Sequence, residues 1–149
     1  MLLWLVRNLL CQALLSPDGK VVLVTGCDTG IGHELARHLE SIGFTVFACC
    51  LDTSSEGAQR LRMAAGARLT LVNMDVRSEE QVRQAVMFVR ENMPKGAEGL
   101  YALVNNAGVC VCGEFDWQTT DQIRNQVTLE SCLSYILSSH RLKSTFWGQ

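Results

Sequence analysis

Val21-Val22-Leu23-Val24 runs into Thr25-Gly26-Cys27-Asp28-Thr29-Gly30-Ile31-Gly32, and then into apolar residues at helical spacing. No other stretch of the chain limits its fold so strongly. The apolar run is continuous and largely β-branched, as a strand covered on both faces demands. Ile31, Leu35, Ala36, Leu39 and Ile42 follow as the inner stripe of a helix. Between strand and helix the glycines are spaced GxxxGxG. Gly26 permits a tight turn, Gly30 leaves no side chain in the way of a pyrophosphate, and Gly32 lets the helix approach the sheet. The helix start adds unpaired N–H groups and partial positive charge, which suits an anion. A glycine trio also serves plain turns; its place between strand and helix is what favours a dinucleotide.

The same alternation continues. Phe44 to Cys50 reads as a second strand, Glu56 to Ala65 as a second helix closed by Gly66, and Leu69 to Met74 as a third strand. Ser78-Glu79-Glu80-Gln81 is a capping box opening a third helix, with Val82, Ala85, Val86 and Val89 turned inward. Asn92-Met93-Pro94 stops it, and Leu100 to Val104 forms a fourth strand. Strand and helix in turn are the mark of parallel crossover units. The expected fold is α/β, a Rossmann-like doubly wound parallel sheet of about four strands in the order 3-2-1-4. It divides the chain into an apolar leader (1–17), a dinucleotide-binding portion (18–127) and a divergent tail (128–149).

Composition removes several classes. Of 149 residues, 48% are hydrophobic and 19% charged, and the net charge is −2. That is too little charge for a disordered tail, and the scattered Lys and Arg offer no basic face for nucleic acid. Seven cysteines include no CxxC pair, so free thiols are expected in place of disulfides or zinc. The leader MLLWLVRNLLCQALL is interrupted by Arg7, Asn8 and Gln12, and no small-residue cleavage site follows. It reads as a membrane-surface helix over residues 1–16 with Trp4 at headgroup level, or else as a helix packed on the protein. Ser16-Pro17-Asp18-Gly19 then makes a turn.

Ligand contacts belong at the ends of the strands. Asp52 stands 20 residues beyond Gly32, where an acid accepts hydrogen bonds from the adenosine ribose or else is a plain solvated loop acid. No Arg occupies Cys50 or Leu51 to clamp a further phosphate, which favours NAD over NADP. Asp75 ends the third strand and is placed to meet the adenine amino group. Asn105-Asn106-Ala107-Gly108 ends the fourth, where amides stitch strand ends together and small residues leave room for a sugar. His33 and His38 read as surface or packing residues.

TGxxxGxG, the strand-end Asp75 and the NNAG of Asn105 to Gly108 resemble the short-chain dehydrogenase/reductase family. The Thr25–Gly32 variant, the GFTVFACCLD stretch and the apolar leader look most like its retinol and hydroxysteroid branch, with a hydroxybutyrate branch as a relative. The resemblance implies a nicotinamide-dependent alcohol/ketone oxidoreductase, membrane-associated and often dimeric. It implies an endoplasmic reticulum or microsomal setting, with cytoplasmic and mitochondrial settings as alternatives. Carried over, Thr25, Gly26, Asp28, Thr29, Gly30, Ile31 and Gly32 would hold the cofactor with Asp52, Asp75, Val76, Asn105, Asn106, Ala107 and Gly108.

The same resemblance exposes a gap. The family's V-N-x-x-G signature would place Asn at Glu130 and Gly at Leu133, and neither matches. Its Tyr-x-x-x-Lys pair is missing: Tyr101 is followed four residues on by Asn105, and Tyr135 by Ser139. The expected catalytic serine does not arrive, so no catalytic residue is assigned. A faithful first portion followed by a divergent tail suggests a truncated product. It is expected to be of marginal stability, with the apolar fourth strand left as an edge that 131–137 could partly cover. Two expectations follow: an oxidoreductase retaining its cofactor-binding half, or a non-catalytic module that pairs with a full-length relative.

Overall fold

β1 (Val21–Thr25) is buried along its whole length, and its side chains alternate between two separate cores. Val21 and Leu23 join Phe47, Val72, Val82 and Val89 on one face of the sheet. Val22 and Val24 join Ala36, Val46, Ala58 and Leu61 on the other. A strand whose first four side chains are all apolar, on both faces, is stable only with cover on both, and the helices supply it. The computed structural model describes residues 16–97, 99–109 and 115–128.

The elements follow as α1 (Gly30–Ser41), β2 (Thr45–Cys50), α2 (Glu56–Ala64), β3 (Leu69–Asn73), α3 (Glu79–Glu91) and β4 (Leu100–Val104). A 3₁₀ turn, Phe115–Trp117, and a helical stretch at 120–128 complete the described chain. The four strands are parallel in the order β3-β2-β1-β4, as expected. α1 and α2 lie over one face and α3 over the other, as the two cores require. The chain winds outward from β1 to β3 and then crosses to the far side of β1. The strand order therefore reverses between β1 and β4, where a crevice opens at the carboxyl ends.

Several local expectations need correction. Ile31 was placed in the inner stripe of α1 but is 80% exposed, and Ile42 is 48% exposed, while Gly32, Ala36 and Glu40 face inward. Ile31 is turned to the crevice at the carboxyl ends of the strands instead of to the sheet. Gly66 does not close α2; Ala65 breaks the helix by turning extended, at ψ 154°. Gly43 does end its helix in the left-handed region at φ 112°, with its N–H donating to the Glu40 carbonyl. Half of the capping box forms: the Ser78 hydroxyl accepts the Gln81 N–H at 3.3 Å. The Gln81 side chain does not return to Ser78 and instead accepts the Asp75 N–H at 2.9 Å, tying α3 to the end of β3.

β4 lies at one margin of the sheet and is half-buried. Its Tyr101 ring stacks on Phe44 at 6.2 Å and lies under the Lys20 ammonium at 4.6 Å. Cys27, Cys49 and Cys50 are buried free thiols. Cys11, Cys110, Cys112 and Cys132, residues 1–15 of the expected leader helix over 1–16, and the proposed cover at 131–137 lie outside the described residues.

Candidate functional site

The site begins where β1 ends. The Thr25 hydroxyl accepts two backbone N–H groups, from Asn106 at 3.0 Å and Ala107 at 2.9 Å. The Asn106 side-chain amide donates in return to the carbonyls of Thr25 at 2.9 Å and Gly26 at 3.0 Å. This is the stitching expected of the strand-end amides, performed by Asn106. Asn105 does not share in it; its side-chain oxygen is buried without a hydrogen-bond partner.

Two glycines make this closeness possible. Gly26 has φ 68°, and a Cβ there would stand 2.7 Å from the Ala107 Cα. A Cβ on Gly32 would overlap the Asn106 amide and the Gly26 carbonyl. Both are therefore required by backbone contact. Gly30 differs. It has φ 67°, yet nothing lies within 4 Å of its absent Cβ. Its bareness leaves open space at the mouth of α1.

α1 also starts differently from its neighbours. The Ser55 hydroxyl caps α2 and the Ser78 hydroxyl caps α3, and each helix opens with glutamate. Thr29 makes no side-chain cap on α1, and the first turn carries no acid. The orphan N–H groups of such a turn await an acceptor, and the local field is positive.

Facing this turn is a cleft of about 640 Å³. The loop contributes Gly26, Asp28, Thr29 and Ile31, and the end of β2 contributes Leu51, Asp52 and Ser55. The end of β3 contributes Met74 to Arg77, and the segment after β4 contributes Asn106 to Val109. Of the residues singled out from sequence, Thr25, Gly30, Gly32 and Asn105 do not line it. Thr25 and Gly32 work behind the wall, holding strand ends together.

The acids of the cleft are individually anchored. Asp28 accepts the N–H of Leu51 at 2.9 Å and of Asp52 at 3.2 Å, which binds the glycine loop to the end of β2. Asp52 accepts from the hydroxyl and N–H of Ser54, and those bonds hold its carboxyl below the usual range. Asp75 receives the Arg77 guanidinium on both oxygens, at 2.7 to 3.1 Å, which lowers its pKa likewise. The three thiols nearby are shifted the other way. Burial pushes Cys27 and Cys49 far up and Cys50 to about 12, so they are inert apolar filling.

Sequence reading missed Gly57, Arg77, Gln81, Leu51, Ser55, Met74 and Val109. Gly57 lets the first turn of α2 press on the Asp28 carbonyl, which a Cβ would overlap. Ser55 before Glu56 is a visible helix-start signal. Nothing in the linear order marks Gly57 or Arg77.

The family model for short chain dehydrogenase matches residues 20–142. The chain belongs to this family. Mouse estradiol 17-beta-dehydrogenase 2 is 50% identical over 98 residues, which are 66% of this chain and 25% of the relative. Rat mitochondrial D-beta-hydroxybutyrate dehydrogenase is 42% identical over 106 residues, 70% of this chain and 31% of the relative. The chain thus spans between a quarter and a third of the length of these dehydrogenases. Among solved structures, NADPH-bound carbonyl reductase from chicken fatty liver superposes with a TM-score of 0.71 at 31% identity. That match covers 80% of this chain and 48% of the reductase.

Proposed function

We propose that this chain binds a nicotinamide dinucleotide, NAD in preference to NADP, as the cofactor half of an alcohol/ketone oxidoreductase of the retinol and hydroxysteroid kind. One observation carries the reading: α1 alone of the three long helices starts without a side-chain cap or an acid, and it does so at the cleft beside the open Gly30. A plain structural turn has no reason to leave those groups unanswered. The fit is supported further along the cleft. Asp52 and Asp75 offer ionised acceptors at the ends of β2 and β3, for a ribose and an adenine amine respectively. Backbone N–H groups of Thr29 to Ile31 would receive the pyrophosphate, and Asn106 to Gly108 would border the sugar.

A bound nicotinamide supplies a hydride acceptor or donor. The described residues at the cleft would bind and orient that group. The 149 residues contain no Tyr-x-x-x-Lys pair, and general acid–base help is worth roughly 10²–10⁴ in rate. The preference for NAD is supported by Asp52 and by the lack of a guanidinium at Cys50 and Leu51. A membrane-surface setting, at the endoplasmic reticulum, is supported by the apolar sequence of residues 1–16. Among the described residues no helix is long and apolar enough to cross a membrane.

Calorimetric titration of the full chain with NAD and NADP tests the cofactor half. Saturable binding with NAD the tighter ligand is expected, and no binding of either ends the proposal. Assays with NAD and a panel of retinols, steroids and hydroxybutyrate test turnover, which is expected to be undetectable for this chain. Deleting residues 1–16 is expected to move the protein from the membrane to the soluble fraction.

A further inference from the structure

We propose that Asp28 decides the cofactor preference, by filling with its own carboxylate the amide pair that a 2′-phosphate would need. The inference rests on the dinucleotide reading and adds to it the element that selects between the two dinucleotides. Adjacent N–H groups of Leu51 and Asp52 point the same way at the end of β2, and such a pair is a ready anion nest. The anion they hold is the Asp28 side chain, at 2.9 and 3.2 Å, reaching across from the glycine loop.

Asp28 is fixed from two directions. Its carboxylate is tied to β2, and its carbonyl is pressed by the first turn of α2 at Gly57, where even a Cβ would collide. It lines the cleft beside Asp52, so two carboxylates face the ribose corner. No lysine or arginine occurs from Cys49 to Gly57. Arg60 pairs with Glu56, and Arg77 is held on both oxygens of Asp75. A phosphate ester entering this corner must displace a bonded carboxylate and then lie against like charge. A free ribose diol meets neither obstacle. Asp28 is thus a positioning and selectivity residue, distinct from the ribose acceptor Asp52.

The test is titration of the full chain and of Asp28→Asn and Asp28→Ser with NAD and NADP, with circular dichroism to confirm folding. Both variants are expected to narrow the NAD-over-NADP ratio by about tenfold, equivalent to about 1.4 kcal/mol, mainly through tighter NADP binding. An unchanged ratio in folded variants overturns the proposal and leaves the dinucleotide reading standing. Absence of binding to the unaltered chain overturns both. If neither variant folds, the unaltered chain decides. Its ratio is expected to shrink as salt rises from about 0.05 to about 0.5 M, because the discrimination is between charges. A salt-independent ratio overturns the proposal.

Discussion

Thr25 and Asn106 hold each other by both ends: the threonine hydroxyl accepts the asparagine backbone N–H, and the asparagine side chain donates to the threonine carbonyl. The pair joins β1 to the segment after β4 across 81 residues of sequence. Thr25→Val keeps the shape and removes the acceptor, so the N–H groups of Asn106 and Ala107 lose their partner in a tightly packed place. A loss of about 2–6 kcal/mol is expected, at roughly 1–3 for each of the two unsatisfied groups. Urea unfolding checks it, as a lower midpoint at constant slope. A loss below about 0.5 kcal/mol contradicts the role given to this hydroxyl.

Glycine substitutions separate packing from binding. Gly57→Ala places a methyl group on the Asp28 carbonyl and is expected to cost about 1–3 kcal/mol of stability, as overpacking does. Gly30→Ala meets nothing but carries a left-handed backbone penalty of about 1–2 kcal/mol. It also intrudes where a diphosphate would rest. Thermal unfolding and NAD titration together are expected to show Gly30→Ala losing more in affinity than in stability, about a hundredfold or more in Kd, equivalent to about 2.8 kcal/mol.

The Asp75–Arg77 pair predicts an acid limb. The folded pKa of Asp75 lies below its unfolded value, which is about 3.9. Its contribution is therefore complete above about pH 4 and disappears as pH falls through the lower folded value. The pair is partly solvated, so the expected contribution is about 0.5–1 kcal/mol. Melting temperatures of Asp75→Asn and the unaltered chain should differ at pH 6 and converge toward about pH 2.

The buried thiols predict the opposite limb. Burial raises the folded pKa of Cys27, Cys49 and Cys50 above the ordinary 9.0, with Cys50 near 12. Unfolded thiols release their protons first, so stability is complete below about pH 9 and declines toward pH 12, by about 1.4 kcal/mol per pH unit for each thiol. Melting curves between pH 8 and pH 10.5 should show this decline, flattened in Cys50→Ala. The same burial should leave all three unmodified by iodoacetamide at pH 8 until denaturant is added.

Much of this architecture could be read along the chain. A β-branched run needs no context to be a covered strand, and the glycines that start α1 announce their corner. Strand order and the meeting of loop, Asp52, Asp75 and Asn106 at one cleft followed from that alternation. Periodicity failed at the ends of α1. It placed Ile31 and Ile42 inward, whereas the helix turns Ile31 to the crevice at one end and Glu40 inward at the other. It also failed wherever a side chain chose between partners. Gln81 could serve the N–H of Ser78, three residues back, or that of Asp75, six back, and the folded path of β3 into α3 brings its side chain to Asp75. Gly57 shows the same limit, since the carbonyl that forbids a side chain there comes from residue 28.

On the proposed reading, the uncapped opening of α1 joins folding and metabolite level in a single equilibrium. An anion completes that turn only while the chain is folded, so at a hundred times its dissociation constant a ligand adds about 2.7 kcal/mol to the resistance against unfolding. Serine completes the other two helices permanently. At this one corner, the durability of the fold is delegated to whatever the surrounding solution supplies.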